Sequence, residues 1–165
     1  FGGESCIPLL KDFKNLVIVR TFSKSFSGAG FRLGYMVANP ELINAVTTVK
    51  NSLNHFPVDA MAQVAGKAAC RNDFYYADCA KKIVSERNDF TAFLRERGWI
   101  LNDSMTNFVL AKNPFIAGKK VYEEIKKDGI LVRHFATKGI EDYVRISIGN
   151  HSQMQALMDS IRRFA

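Results

Sequence analysis

An α/β fold, a small sheet covered by helices, is predicted by three features of the chain. Short β-branched runs recur at Leu16–Arg20, Phe108–Ala111 and Tyr143–Ile148, segments with apolar residues at helical spacing separate them, and Gly or Pro stands at many of the joins. With 165 residues, 47% of them apolar, the chain is long enough to bury a core without a disulfide or metal staple. Its longest apolar stretches, such as Leu16–Val19, fall far short of the ~20 residues that span a bilayer, so the expectation is a soluble protein with no membrane partner.

Leu16–Arg20 suits a buried strand and Arg32–Val37 a second. The eleven residues between them, TFSKSFSGAGF, are too long for a tight hairpin and rich in hydroxyls and glycine. Asn39 then caps a helix that has Pro40 in its first turn and Leu42, Val46 and Val49 as its stripe. Val58–Arg71 carries Met61, Val64, Ala65 and Ala68 at helical spacing, with Ala62, Gly66 and Ala69 as a small-residue face for close packing. After Asn72-Asp73, the positions Tyr76, Ala80, Ile83, Phe90 and Leu94 continue a helix to Gly98, roughly 35 Å long at 1.5 Å per residue. That is long enough to cross from one domain to another. The last third predicts a strand at Phe108–Ala111, a helix at Lys119–Lys127, and strands at Ile130–Arg133 and Tyr143–Ile148. A final helix opens on a Ser152-x-x-Gln155 capping box and buries Met154, Leu157, Met158 and Ile161.

Lys plus Arg outnumber Asp plus Glu by 23 to 16, a net charge of +7 that favours an anionic partner. The basic residues are interspersed with acidic ones and massed only as doublets such as Lys119–Lys120 and Arg162–Arg163, so nucleic acid is not the expected partner. Cys6, Cys70 and Cys79 are odd in number and lack CxxC spacing, which points to a reducing cytoplasm. With His55, His134 and His151 dispersed among them, no metal site is expected.

Thr21, Ser23, Lys24 and Arg32 fall within twelve residues, on a loop that leaves one strand and enters another. A lysine held there can form a Schiff base with an aldehyde cofactor while hydroxyls and a planar guanidinium bind that cofactor's phosphate. Gly28 and Gly30 let the backbone turn sharply beneath the ring. A GxGxxG nucleotide loop is excluded by spacing, because the third glycine, Gly34, comes one residue late.

TFSKSFSGAGFRLGY resembles the lysine signature of the fold-type I, pyridoxal-phosphate-dependent aminotransferases (class I/II), and most closely the histidinol-phosphate aminotransferase group. The resemblance continues through NPELINAV, VDAMAQVA, SMTNFVLA, GILVRHF and YVRISIGN. It implies a C-terminal fragment: residues 1–72 as the remnant of the large cofactor-binding domain and the end of its sheet, and 73–165 as the small α/β domain with the long interdomain helix. It further implies pyridoxal 5'-phosphate as cofactor and Lys24 as the catalytic residue that bonds it and moves a proton. Thr21, Ser23 and Arg32 would bind the cofactor phosphate, Arg145 the substrate α-carboxylate and Arg133 the substrate phosphate, with Asn107 beside the substrate. Period two agrees for Arg145, which must face away from Val144, Ile146 and Ile148. His134 reads as an exposed histidine rather than an acid or base.

The expected activity is transamination between histidinol phosphate and 2-oxoglutarate, by a cytoplasmic homodimer. Threonine-phosphate decarboxylation, or transamination of aromatic or other phospho-amino acids, is the alternative within the family. A non-catalytic assembly fragment is the alternative of another class. Ser27-Gly28-Ala29-Gly30-Phe31-Arg32 departs from the family's usual Gly-Leu-Ala-Gly-Leu-Arg while keeping the functional spacing, and the family's Asp-Glu-Ala-Tyr segment would lie just before Phe1.

Overall fold

A computed structural model describes residues 1–164, which form two compact units. One is Gly3–Cys79; the other runs from Ala80 onward and includes Phe1–Gly2.

In the first unit β1 (Val17–Thr21) pairs antiparallel with β2 (Gly34–Ala38), with Val17 opposite Ala38 and Thr21 opposite Gly34. The intervening loop is therefore the connection of a two-stranded ribbon, which its length argued against. The loop closes on itself: Phe22 N donates to Leu33 O at 3.0 Å, Gly28 N to Phe22 O at 2.8 Å and Phe31 N to Gly28 O at 3.1 Å. A loop already folded by its own backbone bonds adds little closure cost to the pair. The strands are also less covered than their β-branched sequence suggests, Val19 being 72% exposed. Gly34 is required by the pairing, since a Cβ there would lie 2.7 Å from Arg20 O.

Asn39 caps α1 (Pro40–Leu53), its side chain accepting from Glu41 N at 3.1 Å. Asp59 caps α2 (Ala60–Arg71) in the same way, accepting from Ala62 N at 2.8 Å and setting the start two residues after Val58. The small-residue face is used as expected: Ala62, Gly66 and Ala69 are buried, and a Cβ on Gly66 would meet Leu33 Cδ2 at 2.4 Å. The 24-residue α3 (Asp73–Glu96) follows, and the division between the units falls within it, at Cys79–Ala80.

The second unit is a four-stranded antiparallel sheet in the order β3 (Ile100–Leu101), β4 (Phe108–Lys112), β6 (Val144–Ser147), β5 (Arg133–His134). Its inner face packs on the second half of α3, on α4 (Gly118–Lys127) and on α5 (His151–Arg162). Phe90, Leu94, Val109, Val121, Ile125, Val144, Ile146 and Ile161 are fully or almost fully buried there.

Two expectations are corrected in this unit. Of the predicted Ile130–Arg133 strand only Arg133 pairs with β6, together with His134 just beyond it. The chain leaves α4 through Gly129 in a left-handed conformation (φ +77°), and Ile130 and Val132 then pack against the core instead of joining the ladder. The capping box of α5 is formed by Asn150 and Gln153, two residues earlier than Ser152 and Gln155. Asn150 Oδ1 accepts from Gln153 N at 3.0 Å while Gln153 Oε1 accepts from Asn150 N at 3.0 Å. Ser152 Oγ instead donates to Asn150 Oδ1 at 2.9 Å, so the hydroxyl supports the cap rather than forming it.

Candidate active site

β1 ends on Thr21, and the chain turns at once. Ser23 N donates to Thr21 Oγ1 at 3.0 Å and Thr21 Oγ1 donates to Ser23 Oγ at 2.8 Å, which brings the two hydroxyls together immediately before Lys24. Lys24 is exposed, and its carbonyl accepts from Ser27 N at 3.0 Å. Ser27 (φ +52°) and Arg32 (φ +51°) are the non-glycine residues with positive φ among those described. A left-handed residue that is not glycine costs about 1–2 kcal/mol, and such strain gathers at functional loops. At Arg32 it folds the side chain back over its own turn, where Nη1 donates to Ala29 O at 3.0 Å. Gly28 is needed for close approach, because a Cβ would lie 3.1 Å from Phe22 O, whereas Gly30 has open space around it. The loop rests on aromatics: the Phe22 and Phe26 rings lie 4.7 Å apart and tilted by 30°, and Phe26 meets Tyr76 edge-on at 5.0 Å.

This arrangement fits a phosphorylated aldehyde cofactor. Two hydroxyls 2.8 Å apart, a lysine amine and a guanidinium share one short loop, and the loop's backbone bonds and apolar floor hold it open at the surface.

On the second unit's sheet, Val144 and Ile146 are buried and Arg145 between them is exposed on the opposite face, as the period-two reading required. Arg133 of β5 stands directly opposite Arg145 in the register. Phe135 joins them, with the Arg133 guanidinium 5.5 Å and the Arg145 guanidinium 5.9 Å from its ring centre, and Arg145 also lies 5.2 Å from the centre of the Phe108 ring. Like charges directly opposed across a ladder destabilise it by roughly 0.2–1 kcal/mol, a cost that a bound anion removes. Asn107 comes just before β4; its carbonyl accepts from Ile148 N at 2.9 Å, extending the β4–β6 pairing, and its side-chain amide makes no hydrogen bond among the described residues.

His134 is half-buried rather than exposed, and its Nε2 is hydrogen-bonded to Glu141 O at 2.8 Å. It anchors the loop before β6. Lys112 holds the same loop through Asp142 at 3.0 Å, and that contact raises the Lys112 pKa, chiefly through the hydrogen bond. Gly118 closes the clamp: a Cβ there would lie 2.6 Å from the Asp142 carbonyl carbon.

Thr21, Ser23, Lys24 and Arg32 are thus brought together on one loop, and Arg133 and Arg145 on one sheet face with Asn107 at the start of the adjoining strand. Sequence reasoning missed Phe135 and Phe108. The signal for Phe135 was present, since it follows Arg133 by two residues and so shares its face in extended chain.

The sequence pattern described as aminotransferase class I and II matches residues 1–161. Histidinol-phosphate aminotransferase of Syntrophus aciditrophicus is 40% identical over 163 residues, covering 99% of this chain and 45% of that protein. The crystal structure of histidinol-phosphate aminotransferase from Sinorhizobium meliloti in complex with pyridoxal-5'-phosphate superposes with a TM-score of 0.75 at 26% identity, over 93% of this chain and 43% of the other. L-threonine-O-3-phosphate decarboxylase from Porphyromonas gingivalis superposes with a TM-score of 0.69 at 27% identity, over 94% and 48%. The chain therefore spans a little under half the length of these relatives. Because the family pattern runs through the lysine loop and both arginine-bearing strands, this chain belongs to the class I and II aminotransferases.

Proposed function

We propose that this chain carries the lysine loop and the anion-binding sheet of a pyridoxal-phosphate-dependent aminotransferase that exchanges an amino group between histidinol phosphate and 2-oxoglutarate. The observation that carries the substrate class is the Arg133–Arg145 pair, opposed on one face and joined by Phe135. Both proposed substrates are anionic, and a planar guanidinium binds carboxylate or phosphate through two parallel hydrogen bonds.

Pyridoxal phosphate, when bound, supplies the aldehyde that condenses with amines and a ring that withdraws electrons from the substrate's amine-bearing carbon. Thr21, Ser23 and Arg32 would hold its phosphate. Lys24 would contribute the amine that bonds the aldehyde and, once displaced by substrate, a base at Nζ to carry the proton from that carbon to the cofactor's former aldehyde carbon. Arg145 orients the α-carboxylate of the dicarboxylate substrate, and Arg133 grips the phosphate of the donor. Asn107 offers its unpaired amide beside them.

In this reading residues 1–72 belong to the larger, cofactor-binding domain and 73–165 to the smaller one, and the enzyme works as a homodimer in the cytoplasm. Among the described residues no helix is long and apolar enough to cross a membrane.

The test is steady-state kinetics on the longest natural chain that carries this sequence. Arg133→Ala should raise KM for histidinol phosphate far more than for an unphosphorylated donor such as glutamate, and Arg145→Ala should raise KM for glutamate and 2-oxoglutarate, which carry the α-carboxylate. Equal effects of Arg133→Ala on the two donors would remove histidinol phosphate as the substrate. The likeness to a threonine-phosphate decarboxylase supports a second reading with the same two arginines. Release of carbon dioxide from a phosphorylated amino acid, without transfer of its amino group, would favour it. A chain that neither binds the cofactor nor turns over would leave a non-catalytic role in assembly.

A further inference from the structure

Arg87 is the one ionisable side chain buried among the described residues, 6% exposed, on the half of α3 that belongs to the second unit. No carboxylate among those residues pairs with it. The neighbouring Glu86 is taken by His151 Nδ1 at 3.0 Å. Arg87 Nη1 donates instead to two main-chain carbonyls far apart in sequence, Thr106 O at 2.8 Å and Phe1 O at 3.0 Å. Gly2, in a positive-φ conformation that glycine adopts without strain, carries the chain across the guanidinium; a Cβ there would stand 3.8 Å from Nη2.

A buried cation held only by carbonyl dipoles is an expensive way to join two segments, because its charge must be desolvated without a counter-ion. What it fixes is specific. Thr106 ends a turn wound around Phe108: Ser104 Oγ donates to Phe108 O at 2.6 Å, and Thr106 Oγ1 donates to the same oxygen at 3.0 Å. The next residue is Asn107, whose carbonyl is bonded to β6 through Ile148 N. Phe108 is the ring beneath Arg145.

We infer that Arg87 is a positioning residue for the substrate-anion site. It clamps the Ser104–Thr106 turn from below, so that the Asn107 amide and the Phe108 ring stand in fixed relation to Arg145. The inference rests on the aminotransferase reading for its substrate, though not for its geometry.

The experiment compares Arg87→Met, which keeps the apolar stem and loses the donors, with Arg87→Lys, which keeps a charged donor. Both are made in the longest natural chain carrying this sequence. Four quantities are read: KM and kcat for the amino donor and 2-oxoglutarate, the dissociation constant of inorganic phosphate, and Tm. Arg87→Met should raise both KM values and weaken phosphate binding about tenfold, with kcat changed much less, as a misplaced binding group does. Arg87→Lys should recover a large part of the loss. A lowered Tm with KM and phosphate affinity unchanged would overturn the inference, as would loss of kcat that Lys does not rescue. Should Arg87→Met fail to fold, Arg87→Gln takes its place, its single short amide being unable to reach both carbonyls, and unaltered KM and phosphate affinity in that variant refute a positioning role. If the natural protein binds phosphate in an Arg87-dependent way and yet transfers no amino group, the proposed function falls while the role of Arg87 stands.

Discussion

Replacing Gly118 by alanine sets two physical effects against each other. Gly118 is the first residue of α4 and has an ordinary negative φ, so local preference favours alanine by up to about 1 kcal/mol. Packing opposes it. The added Cβ would lie 2.6 Å from the Asp142 carbonyl carbon, 2.7 Å from its oxygen and 2.8 Å from Glu141 O, all backbone atoms that cannot swing aside as a side-chain tip would. Overpacking of this kind costs roughly 1–3 kcal/mol, so packing should win by about 1–2 kcal/mol. For a chain of this size that lowers Tm by about 2–8 °C. The displaced segment also carries the Lys112–Asp142 pair and the His134–Glu141 contact and leads into the strand bearing Arg145, so affinity for inorganic phosphate should fall as well. Differential scanning calorimetry of Gly118→Ala beside Gly30→Ala, whose Cβ meets nothing within 4 Å, provides the control. An unchanged or raised Tm for Gly118→Ala would show that the loop yields freely and that it does not clamp β6.

Lys24→Ala in the longest natural chain should abolish the visible absorbance of bound pyridoxal phosphate and nearly all turnover; borohydride-trapped cofactor at full stoichiometry in that variant would refute the assignment. Arg32→Ala should weaken binding of the cofactor about ten- to a hundredfold, the worth of a hydrogen bond to a charged group, read by fluorescence titration. Asp128 accepts from Ser160 Oγ at 2.6 Å and pairs with Arg163, and these hydrogen bonds hold its pKa below the ordinary 3.8. A depressed folded-state pKa stabilises the fold above the unfolded value, so Asp128→Asn should lower Tm at neutral pH, and the gap should close as pH falls below 3.8 through the folded value. A gap that widens in acid would reverse that sign.

The lysine loop was legible because its chemistry is local: four residue types within twelve positions need no tertiary information to be recognised. Arg145 was legible for a similar reason, since alternation with Val144, Ile146 and Ile148 fixes its face. The pairing of β1 with β2 was not, because the loop's closure depends on backbone bonds between Phe22, Gly28 and Leu33 that no residue pattern announces. Nor was the opposition of Arg133 and Arg145, a matter of register between strands separated by a whole loop. Arg87 was invisible for a third reason. In a helix rich in Lys, Arg and Glu it reads as one more solvated charge, and only burial distinguishes it.

The shortness of β5 bears on how such an enzyme changes its diet. Arg133, proposed to tell phosphorylated donors from plain ones, sits on an outermost strand that pairs through only two residues, with Leu131 beside it 75% exposed. Arg145, proposed to meet an anion common to many substrates, sits on an inner strand with neighbours on both sides and buried residues flanking it. Mutation at the outer position disturbs few contacts, while a backbone shift at the inner one is passed to a strand on either side. The selective arginine therefore stands where drift is cheap and the general one where it is costly, an arrangement that lets duplicated descendants of one ancestor adopt new donors without first surrendering their stability.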